Sequence, residues 1–556
     1  MQLTGSGGEA SGAAEPGLGA GPGTAGPAAA GPSGPGGGLP GRLAFPVAAA
    51  GGLALAAAFP PVGAWPLAAA GPALLTVSLW RRSWRGAALA GLVFGLAFFV
   101  PLLAWLINLA WYAWMALAVA EALIFAVLTV GQWLLLRLRA WPVAVAGWWV
   151  LAEAIRDRWP WGGFPWGRLA MSQAGTPTVR WVSVAGPPLL TFLLALTGAA
   201  LAWLLLGRPG PDGNESAGDG RVRRRVVPAL ALAGAAGVAL AGAALPLSPA
   251  SGGQHATVAA VQGNVPHSRS LQGVLRATTV TGNHAAATEQ LARQVRAGTR
   301  AAPDLVVWPE NSTDIDPNQD PVVYATIAAA VQAIDRPVLV GAVLQDPVRN
   351  AGLLWLPGQG PVATYLKRQL VPFGEVIPFR GFLSTFVPLV KLQPRDFTPG
   401  HRAVVFRLGK LRAGDVICYE VGFDNLVSSQ VKAGANLLVV QTNDATFEVD
   451  GQTGETLQQL AMARIRAIEN DRAVVVASTT GVSAIIAPDG SLITHSGTWR
   501  RAVLEARVPL RAGTTLAGHL GSWPELAISA LTLIAVAWAA GQAVRARRQQ
   551  VRAARG

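Results

Sequence analysis

Apolar positions along the chain have two textures. From Arg42 to about Leu247 they form long, nearly unbroken runs, and from His255 to about Val508 they break into short β-rich runs alternating with stretches of helical period. A helix needs roughly 17–25 residues to cross a bilayer. On that measure the first region holds seven candidate spans, at 43–59, 64–80, 86–105, 112–136, 141–157, 186–206 and 228–247, and an eighth falls at 525–543.

In the second region strands are expected at 256–261, 305–308, 338–343, 353–356, 363–370, 416–417, 437–441, 474–478 and 483–487, and helices at 284–298, 320–334, 423–433 and 455–470. Such alternation reads as an α/β layered domain, long enough to bury its own core. Residues 1–41 are almost all Gly, Ala, Pro and Ser, lack a basic stretch before an apolar run, and are expected to be a disordered cytoplasmic tail rather than a signal peptide. The expected organisation is therefore a tail over 1–41, a seven-span region over 42–247, a folded domain over 248–520, an eighth span within 521–545 and a basic tail over 546–556.

Composition agrees, with 51% hydrophobic against 13% charged residues and a mean hydropathy of +0.39. The net charge of +14 does not form a stripe with interleaved aromatics, which argues against nucleic acid. Arginines cluster instead at 81–85, 137–139, 221–225 and 545–548, after the second, fourth, sixth and eighth candidate spans. With the N-terminus inside, each cluster is cytoplasmic and the folded domain is extracytoplasmic. Six histidines without ligand spacing and a single cysteine imply no metal. Trp159–Trp166, rich in Trp, Pro and Gly, reads either as an interfacial aromatic belt or as the lip of a lipid-binding cavity.

The lone cysteine, Cys418, ends an apolar run and precedes Tyr419, Glu420 and Gly422. A thiol at a strand tip followed by a sharp turn is placed as a nucleophile, although a lone cysteine is equally a small core hydrophobe. Two other strand ends carry charge: Glu310 after 305–308, and Lys367 within a β-patterned stretch running on to Glu375. Singly these are a helix cap and a snorkelling lysine. Together they supply a proton shuttle, an oxyanion-stabilising cation and a nucleophile.

In that order, Trp-Pro-Glu310, Lys367 with Phe-Gly-Glu375, and Cys418-Tyr-Glu420 resemble the Glu-Lys-Cys triad of the nitrilase superfamily. Ala260-Val-Gln-Gly-Asn-Val265, Thr442-Asn-Asp444 and Ala467-Ile-Glu-Asn470 with Arg472 add to the match, and with the framing spans residues 42–545 are similar to the apolipoprotein N-acyltransferase family. Thr446 stands where that family commonly has Trp. The resemblance implies a four-layer α-β-β-α sandwich carried on eight spans in the cytoplasmic membrane, and no cofactor. It assigns Glu310 as general base and acid, Lys367 as oxyanion stabiliser and Cys418 as nucleophile, with Glu375, Tyr419 and Glu420 supporting them. The implied reaction moves an acyl chain from a phospholipid, through a Cys thioester, to the N-terminal diacylglyceryl-cysteine of an apolipoprotein. A membrane-tethered amidase resolving its thioester with water is the alternative, and a transporter or scaffold is disfavoured because polar residues in the spans are few, chiefly Asn108, Glu121 and Glu153.

Overall fold

A computed structural model describes residues 41–206, 219–247, 253–266, 274–386, 390, 395–448 and 451–555. The expected tail lies almost wholly outside the described residues. The first region folds into helices α1 (Gly41–Ala58), α2 (Leu67–Leu79), α3 (Trp84–Leu102), α4 (Trp111–Leu135), α5 (Trp141–Arg156), α6 (Val182–Leu206) and α7 (Asp219–Leu240), each coinciding with an expected span.

Among the described residues six helices are long and apolar enough to cross a membrane: α1, α3, α4, α6, α7 and a late helix described below. The helices at the two remaining expected spans are shorter. At 13 residues, α2 starts after Pro66 and stops before Arg81, whose φ is +59°; α5 has 16, with Pro142 in its first turn and Trp159-Pro160 just past its end. At 1.5 Å per residue, α2 reaches only about 20 Å of the roughly 30 Å hydrocarbon layer.

Small residues bring the helices together. A Cβ on Gly91 would lie 2.5 Å from Thr129 Oγ1, and one on Gly95 would lie 2.8 Å from Ala122 Cα, so α3 and α4 meet nearly backbone to backbone. The acidic residues inside the bundle are used structurally. Glu121 accepts from Arg156 Nε at 2.6 Å, and Glu153 accepts from the Leu169 N–H at 2.7 Å and Thr191 Oγ1 at 2.8 Å.

The second region contains β1 (His255–Gln262), α8 (Val274–Arg296), β2 (Leu305–Val307), α9 (Pro321–Ile334), β3 (Val338–Leu344), β4 (Arg349–Leu356), β5 (Gly360–Leu366), α10 (Arg380–Phe386), β6 (Val405–Leu408), β7 (Leu411–Ile417), α11 (Asp424–Lys432), β8 (Leu437–Thr442), α12 (Gly454–Asn470), β9 (Val474–Ser478), β10 (Ala484–Ile486), β11 (Leu492–His495) and β12 (Ala502–Pro509). Two six-stranded sheets result, ordered β12-β1-β2-β3-β4-β5 and β11-β10-β9-β8-β7-β6. Alternate residues from both, such as Val258, Val307, Leu339, Ala413, Val439 and Val475, form the core between the sheets. The opposite faces are covered by α8 and α9 on one sheet and by α12 on the other. This is the expected α-β-β-α layering. The chain closes with α13 (Leu516–Leu520) and the long apolar α14 (Trp523–Ala553).

Three strands were not legible in the sequence. β11 alternates half-buried with exposed positions, β12 is partly exposed and carries Glu505 and Arg507, and β6 is a four-residue hairpin arm. Helix α8 starts ten residues before its expected start, through a threonine-rich turn where Thr279 and Thr281 hydroxyls bond back to the carbonyls of Leu275 and Ala277. The strand that leads to Cys418 begins at Leu411 rather than Val416, since Gly414 and Asp415 are paired in the middle of the ladder with β8.

The bundle and the second sheet share one apolar core, which runs from Phe98 and Trp166 to Val416, Val440 and Val476 through Met462 and Ile465 of α12. Charged groups cross the same seam. Asp424 accepts from Arg168 at 2.7 and 3.1 Å and pairs with Arg466 at 2.6 Å, while Arg466 also donates to the carbonyls of Val421 and Gly422 and to Glu469. Arg466→Ala leaves the buried Glu469 carboxylate without its guanidinium and the half-buried Asp424 with Arg168 alone. We expect it to cost about 3–5 kcal/mol, read as a fall in the thermal transition of the detergent-solubilised chain. An unchanged transition would show that the seam does not depend on this guanidinium.

Candidate active site

Glu310, Lys367, Glu375, Cys418, Tyr419 and Glu420 come from three separate stretches, and the fold gathers them at the carboxyl ends of β2, β5 and β7. Lys367, 1% exposed, donates from Nζ to Glu310 Oε1 at 2.9 Å and to Glu375 Oε1 at 3.0 Å. Asn350 on β4 donates from one nitrogen to the same two oxygens, at 2.7 and 2.9 Å. The remaining oxygens are also held: Glu310 Oε2 accepts from the Asn443 N–H at 3.0 Å, and Glu375 Oε2 from the Val371 N–H at 2.8 Å.

Glu310 sits where it does because β3 yields room. A Cβ on Gly341 would lie 2.1 Å from the Pro309 carbonyl oxygen and 2.8 Å from Glu310 Cα. Cys418 follows β7 directly and opens a tight turn over Cys418–Gly422 with φ +52°, a left-handed conformation that costs a non-glycine residue about 1–3 kcal/mol and persists only where its surroundings hold it. Glu420 is one such constraint: it accepts from the Ile417 N–H at 2.8 Å, Tyr365 Oη at 2.8 Å, the Arg368 N–H at 2.6 Å and the Gln369 N–H at 3.1 Å. It thereby ties the turn to the chain just beyond Lys367. Tyr419 donates to the Gly163 carbonyl at 2.7 Å and stacks on Trp166 at 5.6 Å, joining the turn to the Trp-rich loop of the bundle.

The electrostatics follow from burial. Desolvation pushes the Cys418 thiol well above its usual range; the Glu310 carboxylate adds to this, and Lys367 opposes it. Burial also raises the Glu310 carboxyl, with Lys367 pulling it down and Glu375 pushing it up. Burial works against charge on Lys367 too, but the Glu310 and Glu375 carboxylates hold its ammonium well above the ordinary lysine value. The thiol is therefore protonated at neutral pH, beside a carboxylate able to take its proton and a fixed cation. Gln459 Nε2 approaches Cys418 Sγ at 3.6 Å and Glu455 Oε1 at 3.3 Å. Burial and the nearby Asp444 carboxylate raise Glu448 to about 9 and Glu455 well above its usual range, so both stay neutral behind Gln459.

Two participants escaped the sequence reading. Asn350 follows Arg349 at the start of a strand that is apolar from Ala351 onward, which is a visible signal; Gln459 is one of two adjacent glutamines on α12, and nothing in the pattern favours it over Gln458. Among the described residues no cluster of His, Cys, Asp and Glu has the arrangement of a metal site.

The stacked sheets with these residues at their strand ends form a carbon–nitrogen hydrolase domain: the family model of that description matches residues 257–516. The model described as the apolipoprotein N-acyltransferase N-terminal domain matches residues 51–200. A protein named apolipoprotein N-acyltransferase from Mycolicibacterium smegmatis is 36% identical over 497 residues, covering 85% of this chain and 81% of its own length. One of the same name from Pseudomonas putida is 30% identical, covering 89% of this chain and 96% of its own length. Among solved structures, a nitrilase-superfamily amidase from Nesterenkonia is 16% identical with a TM-score of 0.36, covering 47% of this chain and 94% of its own. The chain belongs to the apolipoprotein N-acyltransferase family.

Two outcomes follow from the geometry. Glu375→Gln removes the carboxylate that raises Glu310, so the pH at which Cys418 alkylation by iodoacetamide gains its base-assisted rate should move down. An unchanged or higher inflection would show that the two carboxylates are not coupled. Gly341→Ala should displace Glu310 and slow alkylation at pH 7 at least tenfold, with the protein still folded.

Proposed function

We propose that the chain transfers a fatty acyl chain from a membrane phospholipid to the α-amino group of a diacylglyceryl-cysteine at the N-terminus of an apolipoprotein, with Glu310, Lys367 and Cys418 as the catalytic residues. The observation that carries the residue assignment is the Lys367 ammonium held between Glu310 and Glu375 beside a thiol that needs a base. Family membership supports the reaction.

In the first half-reaction Glu310 takes the Cys418 proton and Sγ attacks the ester carbonyl carbon. Lys367 faces the resulting oxyanion. The intermediate collapses, the glycerol oxygen leaves with the proton from Glu310, and a thioester remains. In the second, the α-amine attacks the thioester carbonyl as Glu310 takes an amine proton. The C–S bond breaks, Sγ regains the proton, and the product is an amide. Glu375 and Asn350 position the charged pair, while Glu420 and Tyr419 fix the turn that carries the thiol.

We read the bundle as spanning the cytoplasmic membrane with eight helices. In this reading α2 and α5 are short members embedded among longer ones, and the arginine clusters lie inside, which places residues 248–520 on the extracytoplasmic side. The shared core of bundle and sheet favours transfer over the amidase alternative, because a hydrolase of small soluble amides has no use for a site built into apolar helices.

Intact-mass analysis of the purified chain incubated with phospholipid tests the scheme. We expect the mass of one fatty acyl group, mapping to Cys418, and its loss on addition of a diacylglyceryl-cysteine peptide that gains an amide-linked chain. Cys418→Ala should take up no acyl mass. Acylation persisting in that variant, or release of free fatty acid in place of acylated peptide, would overturn the assignment.

A further inference from the structure

The end of β8 holds the Glu310 stretch at two points. The Asn443 N–H takes one carboxylate oxygen, and two residues earlier Gln441 Nε2 donates to the Trp308 carbonyl at 2.6 Å, across the gap between the two sheets. Trp308 and Pro309 lead straight into Glu310, so this second contact fixes the backbone that carries the carboxylate. A carbonyl oxygen can only accept, and that settles the orientation of the Gln441 amide: nitrogen toward Trp308, oxygen away from it.

The amide oxygen is turned toward another acceptor. Asp415 on β7 alternates with Ala413 and Ile417, and Gln441 with Leu437 and Val439, so both side chains point into the apolar core between the sheets, where both are fully buried. They converge beside Gly352 of β4. A Cβ there would lie 2.1 Å from Asp415 Oδ2 and 2.8 Å from Gln441 Oε1, so the two oxygens occupy the place of the missing side chain. Among the described residues neither Asp415 oxygen nor Gln441 Oε1 has a well-formed hydrogen bond. The hydroxyl of Tyr365, which is paired with Gly352 across β4 and β5, gives its hydrogen to Glu420 Oε2 at 2.8 Å.

Two acceptors facing each other in a dry core are costly unless a hydrogen sits between them, and an amide oxygen has none to give. A carboxylic acid has one. Burial pushes the Asp415 carboxyl well above the usual carboxylate range; Glu420 adds to this, the Val416 N–H opposes it, and Glu310 adds a little more. Both charged groups acting on it are anions, so nothing there favours a carboxylate.

We propose that the Asp415 carboxyl group donates its hydrogen to Gln441 Oε1, and that this bond, passed on through the Gln441 amide to the Trp308 carbonyl, positions Glu310 as the base. Asp415 is a positioning residue, fully buried and out of reach of substrate. The inference rests on the assignment of Glu310 made above. It also explains how an acidic residue is tolerated in this core: as an anion it would set a further negative charge beside Glu310 and Glu420, and as an acid it adds none.

Infrared difference spectroscopy of the full-length chain in detergent at pH 7 reads the proton. Wild type minus Asp415→Asn should show the C=O stretch of one carboxylic acid, a band that carboxylates and amides lack. Alkylation of Cys418 by iodoacetamide reads the positioning. Asp415→Leu, apolar with the same branching, leaves Gln441 Oε1 without a donor and should slow alkylation at pH 7 about tenfold, the worth of one hydrogen bond. Asp415→Asn supplies an N–H in place of the O–H and should restore the rate to within about twofold, with the inflection of the pH profile unmoved. The proposal is overturned by a difference spectrum without the acid band, or by a folded Asp415→Leu protein alkylated at the wild-type rate. It is also overturned by an inflection that falls in Asp415→Asn, since that reports an anion removed from beside Glu310. If Asp415→Leu does not fold, the spectrum and the Asp415→Asn profile decide. Acyl mass on Cys418 reports separately on the catalytic proposal: an acid band without acylation refutes the chemistry and leaves the hydrogen bond standing, and acylation without the band does the reverse.

Discussion

A lysine ammonium shut away from water between two carboxylates is the constraint on which the site depends. Burying the charges of Lys367, Glu310 and Glu375 costs several kcal/mol per ion unless each is met by an opposite charge and by hydrogen bonds. Here the ammonium meets both carboxylates, Asn350 spans them, and the N–H groups of Asn443 and Val371 take the outer oxygens. These partners sit on or next to β2, β4, β5 and β8, so two sheets must stack in register before the charges are satisfied. The cluster has one more negative than positive charge, which together with desolvation keeps the thiol protonated. A protonated thiol reacts only once a base takes its proton, and the raised carboxyl of Glu310 is within the same cluster. Structural necessity and chemical competence come from the same three side chains.

The second constraint is the double duty of α12. Nearly every residue from Glu455 to Asn470 is buried, with one flank against β9 and β10 and the other against α6 and the bundle. Its Gln459 reaches the thiol, its Gln458 donates to the carbonyls of Pro60 and Leu102 and accepts from Trp105, and its Arg466 closes the charged seam. A helix on the outside of a soluble sandwich would turn one face to water. Here that face is covered by the apolar helices of the bundle, so bundle and sandwich fold as one packed body.

Much of this was legible because period and charge are strong signals where burial is one-sided. The long runs gave the helices and the apolar strands gave the two sheets. Glu310, Lys367 and Cys418 stood out as ionisable groups at the ends of buried runs, and the structure brings Glu310 and Lys367 into direct contact. What escaped has physical reasons. Strands β11 and β12 are partly solvated and read as loop, and the first turns of α8 are rich in threonine, a weak helix former whose hydroxyls here bond back to the preceding turn, so they do not read as helix. The lengths of α2 and α5 were set by Pro and by a left-handed Arg81, which hydropathy does not weigh. Asn350 and Gln459 make contacts decided by tertiary geometry, and the Asp157–Arg168–Asp424–Arg466 seam joins Arg168 to Asp424, 256 positions apart, a pair that no local pattern predicts.

The same seam bears on why a thioester formed at Cys418 would go to an amine rather than to water. Water is present at high concentration near any partly exposed thiol, so transfer requires that the amine be held close and that solvent be thinned. Each methylene of an acyl chain kept in the bilayer is worth about 0.8 kcal/mol, which confines both a diacylglyceryl acceptor and a phospholipid donor to the layer in which the bundle sits. The turn carrying the thiol is stacked through Tyr419 on Trp166 and Phe164, so Cys418 is mounted on the aromatic loop at the end of α5 and not on a mobile solvent-facing segment. Anchoring therefore raises the local amine concentration while the packed aromatics exclude water from one side of the thiol. Both effects act on the second half-reaction alone, which is where an acyltransferase must differ from an amidase built on the same charge cluster.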